Sequence, residues 1–585
     1  MTPQLSDSRL ANLGANTILE GFEFFQTQFN AITRRAKKRF ETRDWAGMQD
    51  DATERLDSQD KMVYQIVEEL KDLLGDRCEN KLIWASIKAV YSGLIAHRDN
   101  WELAETFYNS VTRRIFTTSS GVDPQVEFVD TDFEVPPTKT KTLVYRTYNR
   151  GDSISALLRT IILDYQFQTP FKHLDQDIHY ITDRLKTHLR EIGALQVVEW
   201  AEMIKAAFFR RKAAYLVGRL YSGSHIVPIV IALRNYKDGI VVDALLLNED
   251  DASILFSFAR SYFHIDVDRP YDLVRFLRSI MPRKRIAELY ISLGYNKHGK
   301  TELYRDILHH FAYTNNKFEI ARGQRGMVMV TFTMPDYDII IKIIKDRFDP
   351  PKKTNHQAVK DKYYLVFMHD RAGRLIDAQK FERLKFDRQY FSKDLLDELQ
   401  AVAASSVEVT EDAVTISLAY IERRVIPLNI YVNEADEEAA RAAVIDYGNA
   451  IKDLAATNIF PGDLLLKNFG VSRHGRVLFY DYDEISLITD CKFRRMPPAR
   501  SHVDEFSDEP WFAYDEDDIF PEQFPQFLGL RDDLRDVFVK HHSDLFEAVY
   551  WKKIQEQLNN GNIPLIYPYL NDKRIDPDSG NSQDR

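Results

Sequence analysis

The sequence predicts an α+β protein with a mostly helical N-terminal part, which carries a small antiparallel sheet, and a bilobal C-terminal part. Three observations predict this class. Apolar residues recur at three- and four-residue steps through residues 8–115, and two strand-like runs flank a turn signal at residues 235–239. The second half then places an apolar strand with a lysine inside it upstream of an ordered set of Asp and Asn residues. Apolar residues at three- and four-residue steps are typical of helices, and short apolar runs on either side of a turn are typical of paired strands.

The N-terminal helices follow from repeated apolar spacing. Two sets show it: Ile18, Leu19, Phe22, Phe25 and Phe29, and Val63, Ile66, Val67 and Leu70. Such sets predict the core faces of amphipathic helices rather than a ligand site. The same reasoning predicts helices over residues 154–212 and again from 253 to about 311.

Residues 214–248 change to a strand pattern. The runs Val227 to Leu233 and Ile240 to Leu247 are separated by Asn235-Tyr236-Lys237-Asp238-Gly239, which is a hairpin signal. We place the domain boundary near residue 315, between a mostly helical domain of residues 1–315 and a second domain of residues 316–585. From about residue 572 the chain is polar without apolar periodicity, and we expect this tail to be mobile.

The second domain opens with a glycine-containing loop and two strands. The loop comprises Ala321, Arg322, Gly323, Gln324, Arg325, Gly326 and Met327. An apolar run to Met334, a turn at residues 335–338 and the strand-like residues 339–344 follow. Protein kinases cover ATP phosphates with such a loop and reach them with a lysine on the following strand. The spacing here is G-x-x-G, shorter than the kinase pattern, so the loop alone is a weak signal.

A lysine inside the second strand is the stronger signal. Lys342 has isoleucines on both sides, which predicts a strand buried on both faces. A buried ammonium requires an anionic partner, and a phosphate would provide one. Lys345, at the end of the same strand, is a competing candidate, and a purely structural role is a further alternative.

An ordered set of polar residues follows about 120 residues later. Asp463 is followed by Asn468, and residues 471–480 read as two short strands around a His-Gly turn that would return Asp481 to the side of Asn468. Protein kinases use this order to position a hydroxyl and to hold Mg²⁺ on ATP. Asp463 would lie near the attacking hydroxyl, while Asn468 and Asp481 would supply oxygen ligands to the metal.

Longer segments carry a more specific resemblance. They are GMVMVTFTMPDYD, IKIIKDRF, HDRAGRLID, YIERRVIPLNI, YGNAIKDLAATNIFPGDLLLKNFG and HGRVLFYDYDEI, with AELYISLGYNKHGKTELYRD in the N-terminal half. With them the chain resembles the bacterial isocitrate dehydrogenase kinase/phosphatase family over nearly its whole length. The resemblance implies a helical regulatory domain followed by a protein-kinase-like domain.

The resemblance also implies an activity. Such an enzyme phosphorylates a serine of isocitrate dehydrogenase with ATP, removes the same phosphate, hydrolyses ATP, and so controls flux between the Krebs cycle and the glyoxylate bypass. It implies ATP and ADP as ligands, Mg²⁺ or Mn²⁺ as the metal, and AMP as an allosteric effector. The alternative is a nucleotide-sensing protein with a kinase fold that regulates a partner without transferring phosphate. Retention of Asp463 favours the enzyme, because a sensor has no need of a carboxylate at the attacking hydroxyl.

Site residues carry over where the motifs match. The ATP-binding positions fall on residues 321–327 and Lys342, the catalytic positions on Asp377, Asp463 and Lys467, and the metal positions on Asn468, Asp481 and Asp483. Two departures from the family pattern are Arg322, where a proline is expected, and Ile445, which replaces the first residue of an acidic pair. Asp446 therefore receives no catalytic role. Asp481-Tyr482-Asp483 lacks the glycine of the usual kinase motif, so a backbone flip there is not expected.

The role of Asp377 depends on the resemblance. From the pattern alone, residues 370–377 read as a polar turn between the strand-like residues 363–368 and a helix. Asp377 would then cap that helix or pair with Arg374. The resemblance instead links Asp377 to dephosphorylation, which requires an additional acid or base to activate water. Asp483 is the other carboxylate available for that step.

Composition restricts the possible partners and compartment. The formal net charge of −11 gives no basic excess for binding nucleic acid. Cys78 and Cys491 are the only cysteines, too few for a disulfide framework. No run approaches the length of a membrane span and the N-terminus lacks a signal pattern, so we expect a cytoplasmic protein without a membrane partner.

A basic, proline-containing loop covers residues 345–356. The family uses this region to hold its protein substrate, so the resemblance predicts contact with isocitrate dehydrogenase here. A solvated run of charge is the alternative.

Overall fold

The computed structural model describes residues 5–116, 123–129, 134–195, 197–257, 262–350, 352, 354–369, 372–497, 512, 513, 515, 518–561, 566–569 and 571–575. Contacts between Cα atoms divide the chain into two compact units. The described residues before 315, together with those from 569 onward, form the N-terminal unit, and the described residues from 315 to 568 form the C-terminal unit. Each unit combines helices with an antiparallel sheet, so the predicted α+β class is confirmed.

Helices dominate the N-terminal unit. They are α1 (Asp7–Glu41), α2 (Trp45–Leu74), α3 (Lys81–Ile95), α4 (Trp101–Ile115), α5 (Ile154–Asp164), α6 (Leu174–Glu191), α7 (Glu249–Leu255), α8 (Pro270–Ile280), α9 (Ile286–Ser292) and α10 (Asn296–Tyr313). The predicted core faces are confirmed, because Phe22 and Phe29 of α1 and Ile66 and Leu70 of α2 are all buried.

A six-stranded antiparallel sheet completes the N-terminal unit. Its strands are β1 (Tyr145–Asn149), β2 (Trp200–Ile204), β3 (Phe208–Arg210), β4 (Ala213–Ser222), β5 (His225–Tyr236) and β6 (Gly239–Leu246). The order is β1-β2-β4-β5-β6, with β3 paired to β4, and the predicted hairpin is β5–β6. The prediction of helix through residue 212 was wrong for β2 and β3. Pairing with β4 buries Ala201 and Met203, and this tertiary contact overrides local helix propensity.

The expected tail is anchored at its beginning. Residues Asn571–Lys573 form a 3₁₀ turn, and Arg574 is buried, with its guanidinium 3.1 Å from the carboxylate of Asp243 in β6. The backbone N–H of Ile575 donates to the Asp243 carbonyl at 2.8 Å. Residues 576–585 lie outside the described part of the chain.

The C-terminal unit contains thirteen strands and seven helices among the residues that the structure describes. The strands are β7 (Glu319–Ile320), β8 (Met329–Met334), β9 (Tyr337–Ile344), β10 (Gln379–Asp387), β11 (Val407–Val409), β12 (Ala413–Arg423), β13 (Ile426–Pro427), β14 (Ile459–Phe460), β15 (Phe469–Val471), β16 (Val477–Phe479), β17 (Ser486–Leu487), β18 (Lys492–Phe493) and β19 (Asp518–Ile519). The helices are α11 (His356–His369), α12 (Lys393–Val402), α13 (Leu428–Glu434), α14 (Glu437–Ala456), α15 (Phe524–Phe527), α16 (Asp532–His542) and α17 (Ala548–Asn559).

The strands form one larger sheet and three small ones. The larger antiparallel sheet has the order β10-β12-β9-β8-β7, with β11 paired to β12. A second sheet, β13-β15-β16, and two strand pairs, β14–β17 and β18–β19, lie in the part that follows. This part also contains α14, which is buried along Val444, Tyr447, Ile451 and Leu454. A sheet-rich part followed by a helix-rich part is the predicted bilobal arrangement.

Two local predictions near Asp377 were wrong. Residues 363–368 belong to helix α11, because Val359, Tyr363 and Val366 are buried at a helical spacing. The segment after Asp377 is strand β10, whose exposure alternates from residue to residue. Asp377 therefore does not cap a helix. Asp370 and Arg371, which belong to the family motif, lie outside the described residues.

Where the structure describes the chain, no helix combines the length and the apolar character needed to cross a bilayer.

Candidate active site

One cavity of about 610 Å³ in the C-terminal unit collects most of the predicted site residues. Its walls include the whole loop of residues 321–327 and the polar residues Lys342, Asp463, Lys467, Asn468, Asp481 and Asp483. Asp377 is not among the lining residues, although its neighbour Ile376 is. The functional roles assigned to these residues stay predictions, while the structure brings their side chains to one place.

The glycine loop connects β7 to β8 and lines this cavity. Gly323 has φ +120°, a conformation that side chains with a Cβ atom rarely adopt. A Cβ added at Gly326 would lie 2.8 Å from the Met329 carbonyl oxygen. Arg322, at the departure from the family pattern, is largely exposed and pairs with Glu434.

Lys342 is held by strand pairing. In the β9–β12 pair it lies opposite Tyr420, so Glu422 is its diagonal neighbour on the same face. The Lys342 Nζ atom lies 2.8 Å from Glu422 Oε2 and donates to the Tyr480 carbonyl at 2.8 Å. Both side chains are more than nine-tenths buried. The predicted burial of Lys342 is confirmed, and its anionic partner within the protein is a carboxylate.

The Glu422 carboxylate is only partly satisfied. Burial raises its pKa, and the charges of Asp481 and Asp377 add to this effect, whereas Lys342 opposes it. Its Oε1 atom is buried and has no hydrogen-bond partner in the described part of the protein. Sequence reasoning missed Glu422; the available signal was an acidic residue near the end of the apolar strand Ala413–Arg423.

Lys345 also lines the cavity and is buried. Its Nζ atom lies 2.8 Å from Asp349 Oδ2, on the loop that follows β9. The two lysines therefore differ in their partners, because Lys342 bonds groups on two other strands or loops while Lys345 bonds a neighbour in sequence.

A turn and a hairpin place the Asp and Asn residues. Gly462, with φ +79°, precedes Asp463, and a Cβ added there would lie 2.6 Å from the Glu484 Cβ. The Nδ2 atom of buried Asn468 donates to the Asp463 carbonyl at 3.2 Å. The predicted hairpin is confirmed as β15–β16, and the Tyr480 N–H donates to the Asn468 carbonyl at 3.1 Å. This contact returns Asp481 to the side of Asn468.

Carboxylates crowd this end of the cavity. Burial and the charge of Asp481 raise the pKa of Asp483 to about 7. Burial and the neighbouring Glu484 likewise raise the pKa of Asp463. Lys352 contacts Glu484, and its positive charge opposes both shifts. Glu484 is a cavity residue that sequence reasoning missed, and Lys352 was predicted only as part of the loop that holds the protein substrate.

The donor atoms suit a hard divalent cation. Asn468, Asp481 and Asp483 offer an amide oxygen and two carboxylates, and the mutual repulsion seen in the pKa of Asp483 is what a cation would relieve. Within the described ranges no group of three or more His, Cys, Asp and Glu side chains is placed to bind a metal alone. Phosphate oxygens and water would complete the coordination, as is usual for Mg²⁺ on ATP.

A buried ion cluster lies beside the site. Arg374 bonds Asp446 through both terminal nitrogens at 2.8 Å and Asp453 through Nε at 2.7 Å. Both carboxylates, Asp446 and Asp453, lie on α14. Burial alone would raise the pKa of Asp446, but Arg374 holds it below its ordinary value. Asp446 is thus a structural carboxylate, in agreement with the absence of a catalytic assignment.

A glycine loop, a paired lysine on a sheet, and an Asp–Asn–Asp set around one cavity define a protein-kinase-like phosphotransferase. Comparisons with known proteins narrow this class. Residues 316–571 match the model of the isocitrate dehydrogenase kinase/phosphatase (AceK) kinase domain, and residues 15–315 match that of the regulatory domain of the same proteins.

Whole-chain comparisons agree. The chain is 48% identical over 567 residues to an isocitrate dehydrogenase kinase/phosphatase of Anaeromyxobacter sp. (strain Fw109-5), covering 97% of this chain and 98% of that protein. It is 40% identical to the proteins of the same name from Polaromonas sp. (strain JS666 / ATCC BAA-500) and Photorhabdus laumondii, over 98% and 97% of this chain and 95% and 96% of theirs. The chain belongs to the isocitrate dehydrogenase kinase/phosphatase family.

Proposed function

We propose that this protein phosphorylates a serine of isocitrate dehydrogenase with ATP and also removes that phosphate, so that it controls flux between the Krebs cycle and the glyoxylate bypass. The observation that carries the proposal is the single cavity in which Lys342, Asp463, Asn468 and Asp481 meet. Family membership supports the substrate. The nucleotide sensor is disfavoured, because Asp463 has no use in a protein that only binds nucleotide.

In the kinase direction, Asp463 accepts the proton of the serine hydroxyl as its oxygen attacks the γ-phosphorus of ATP and ADP leaves. Backbone N–H groups of residues 321–327 and the Lys342 ammonium orient the phosphates. Asn468, Asp481 and Asp483 would hold Mg²⁺, or Mn²⁺, which supplies charge neutralisation at the phosphates when bound. Lys467, which lines the cavity, adds a positive charge near the transferred group.

In the phosphatase direction, water replaces the serine as the attacking group and serine becomes the leaving group. A carboxylate must accept a proton from water, and Asp463 returns a proton to the serine oxygen. Asp377 and Asp483 are our candidates for the base. Asp377 is half-buried beside the cavity, and its charge contributes to the raised pKa of Glu422.

Two further parts of the proposal concern binding. AMP acts as an allosteric effector through the N-terminal unit and shifts the balance toward dephosphorylation. The loop of residues 345–356 holds isocitrate dehydrogenase; Pro351 and Lys353 of this loop lie outside the described residues. Lys352, which contacts Glu484 of the cavity, is the member of the loop through which substrate contact would reach the site.

Incubation with isocitrate dehydrogenase and γ-labelled ATP tests the proposal. We expect label on a serine of the dehydrogenase, and release of that label as inorganic phosphate in a second incubation of the purified phosphoprotein. Nucleotide binding without transfer would refute the enzyme and support the sensor. Transfer without release would refute the phosphatase half. Both incubations with and without AMP measure the effector.

A further inference from the structure

The segment of residues 372–378 runs beside β16 like an added parallel strand. Leu375 forms a parallel bridge with Phe479, the Phe479 N–H donates to the Arg374 carbonyl at 2.7 Å, and the Ile376 N–H donates to the Phe479 carbonyl at 3.2 Å. Parallel neighbours advance together along both chains. Two residues beyond this bridge, the segment reaches Asp377 and the β16 chain reaches Asp481. Backbone register therefore places Asp377 next to the predicted metal ligand.

A hydrogen bond from a side chain to the segment's backbone supports the same placement. The Tyr482 hydroxyl, between Asp481 and Asp483, donates to the Ile376 carbonyl at 2.6 Å, and both groups are buried. The Asp377 carboxylate itself accepts from the Gln379 side chain at the start of β10. The segment is thus bonded to the polypeptide on either side of Asp481, at Phe479 and Tyr482.

Arg374 holds the start of this segment. Besides its bonds to Asp446 and Asp453 of α14, its Nη1 atom donates to the Val477 carbonyl at 3.1 Å. Asp446 in turn accepts from the Val477 N–H at 2.7 Å. The guanidinium is buried, with 6% of the residue exposed. One charged cluster therefore joins the segment, α14 and β16, the strand that leads to Asp481.

We infer that Arg374, with Asp446 and Asp453, is a positioning residue for the hydrolytic direction of the reaction. It fixes the register of residues 372–378 against β16 and so sets the position of the Asp377 carboxylate relative to Asp481. The inference rests on the proposed function, and specifically on Asp377 acting in dephosphorylation. The kinase direction depends less on this cluster, because Lys342 and Asp463 are held by other contacts.

The test measures kinase and phosphatase rates of Arg374→Lys and Asp453→Asn. Lysine keeps the charge but cannot make the bidentate bond to Asp446, and Asp453→Asn keeps that bond while removing one charge pair. We expect the phosphatase rate to fall at least about tenfold more than the kinase rate for Arg374→Lys, with a smaller difference in the same direction for Asp453→Asn. Asp453→Asn decides the matter if Arg374→Lys does not fold.

Combining these variants with Asp377→Asn distinguishes a positioning role for Arg374 from a general loss of stability. In an Asp377→Asn background, the Arg374 and Asp453 variants should cause no further phosphatase loss, whereas a merely structural effect would multiply with it. Lys452→Met is the matched control, because Lys452 lies on the same helix and pairs with Asp544 at 2.8 Å. We expect it to change both rates equally.

Two results would overturn different statements. Equal losses in the two directions, or losses that multiply with Asp377→Asn, would refute the positioning role while leaving the proposed function intact. A wild-type protein without phosphatase activity on phosphorylated isocitrate dehydrogenase would refute the proposed function itself. The first result comes from the variants and the second from the wild-type protein, so the two failures are distinguishable.

Discussion

Two buried ion clusters of the C-terminal unit differ in how completely their charges are bonded. The Arg374 guanidinium donates hydrogen bonds to the carboxylates of Asp446 and Asp453 and to the Val477 backbone carbonyl. Lys342 has one carboxylate partner, Glu422, whose second oxygen has no partner within the described residues. Lys342 and Glu422 both line the cavity, and Arg374 does not. The fully bonded cluster contacts the backbone of β16, while the incompletely bonded pair lines the cavity.

The N-terminal unit provides a third case. Glu102, on the buried helix α4, has 2% of its surface exposed, and its Oε1 atom accepts from the Tyr290 hydroxyl at 3.4 Å. Its other oxygen has no partner in the described part of the chain. Burial raises its pKa to about 8. Burial outweighs the charge of Arg269 and favours the neutral form of Glu102, whereas the ion pair with Arg374 favours the ionised form of Asp446.

The largest expected effect is the loss of activity on substitution of Lys342 or Asp481. Lys342→Met should reduce kinase, ATPase and phosphatase rates together by at least about 10³-fold, because the proposed function places all three activities at one nucleotide–metal site. Asp481→Ala should do the same. Lys345→Met tests the competing lysine. Because Lys345 also begins the loop proposed to hold isocitrate dehydrogenase, the comparison is made on ATPase, which should stay within about tenfold of the wild-type rate. Phosphatase activity that survives Lys342→Met without nucleotide would require a separate phosphatase site.

Asp463 should matter next most. Asp463→Ala removes the proposed acceptor of the serine proton and should lower the kinase rate by about 10²–10⁴-fold. The Asn468 side chain bonds the Asp463 backbone carbonyl, so the loop should persist. ATP binding, measured by calorimetry, is expected to stay within about threefold. Phosphorylation at the wild-type rate would remove Asp463 from the mechanism.

Substitutions in the two clusters should change the free energy of unfolding in different ways. Lys342→Met leaves the Glu422 carboxylate buried without its cation, and should cost about 3–5 kcal/mol in the free energy of unfolding. Adding Glu422→Leu should recover most of that loss without restoring activity. Arg374→Met with Asp446→Leu should not recover, because Asp453 and the Val477 N–H lose their partners too. Equal recovery in both pairs, measured by chemical denaturation, would contradict the distinction.

Glu102 should give a pH-dependent effect of the opposite sign to a paired acid. Its folded pKa lies above the unfolded value of about 4.3, so its contribution to stability is fully present below pH ~4 and is lost as the pH rises through about 8. Glu102→Gln imitates the neutral form. We expect little difference from wild type at pH 5 and a higher melting temperature for the variant at pH 8. A variant advantage that did not grow with pH would contradict a buried neutral carboxyl.

The smallest expected effect concerns the departure at Arg322. Its pair with Glu434 is exposed, and such pairs contribute about 0–1 kcal/mol. Arg322→Pro, which introduces the proline that the family resemblance leads us to expect, should change the KM for ATP by less than about threefold. Arg322→Ala is the control for loss of the pair alone. A tenfold change in the proline variant with none in the alanine variant would show that loop stiffness matters.

Local patterns correctly predicted the strands and the hairpin that surround the candidate site. The β8–β9 strands, the burial of Lys342 and the β15–β16 hairpin each follow from residues close together in sequence, where apolar period and turn chemistry determine structure. The errors occurred where distant contacts override local preference. β2 forms by pairing with β4, and residues 363–368 are helical because Tyr363 and Val366 pack into a core built from other segments.

By itself the sequence determined the two-part α+β organisation, the order of Lys342, Asp463, Asn468 and Asp481, and the resemblance to one family. Those features depend on residue type and spacing along one chain. Only the tertiary structure decided that Glu422 pairs with Lys342, that Glu484 and Lys352 enter the cavity, and that Arg374 joins the Asp377 segment to α14 and β16. These pairs are separated by tens of residues or more. Strand register sets the Lys342–Glu422 pair, whereas the contacts of Arg374, Lys352 and Glu484 depend on how loops and α14 pack together.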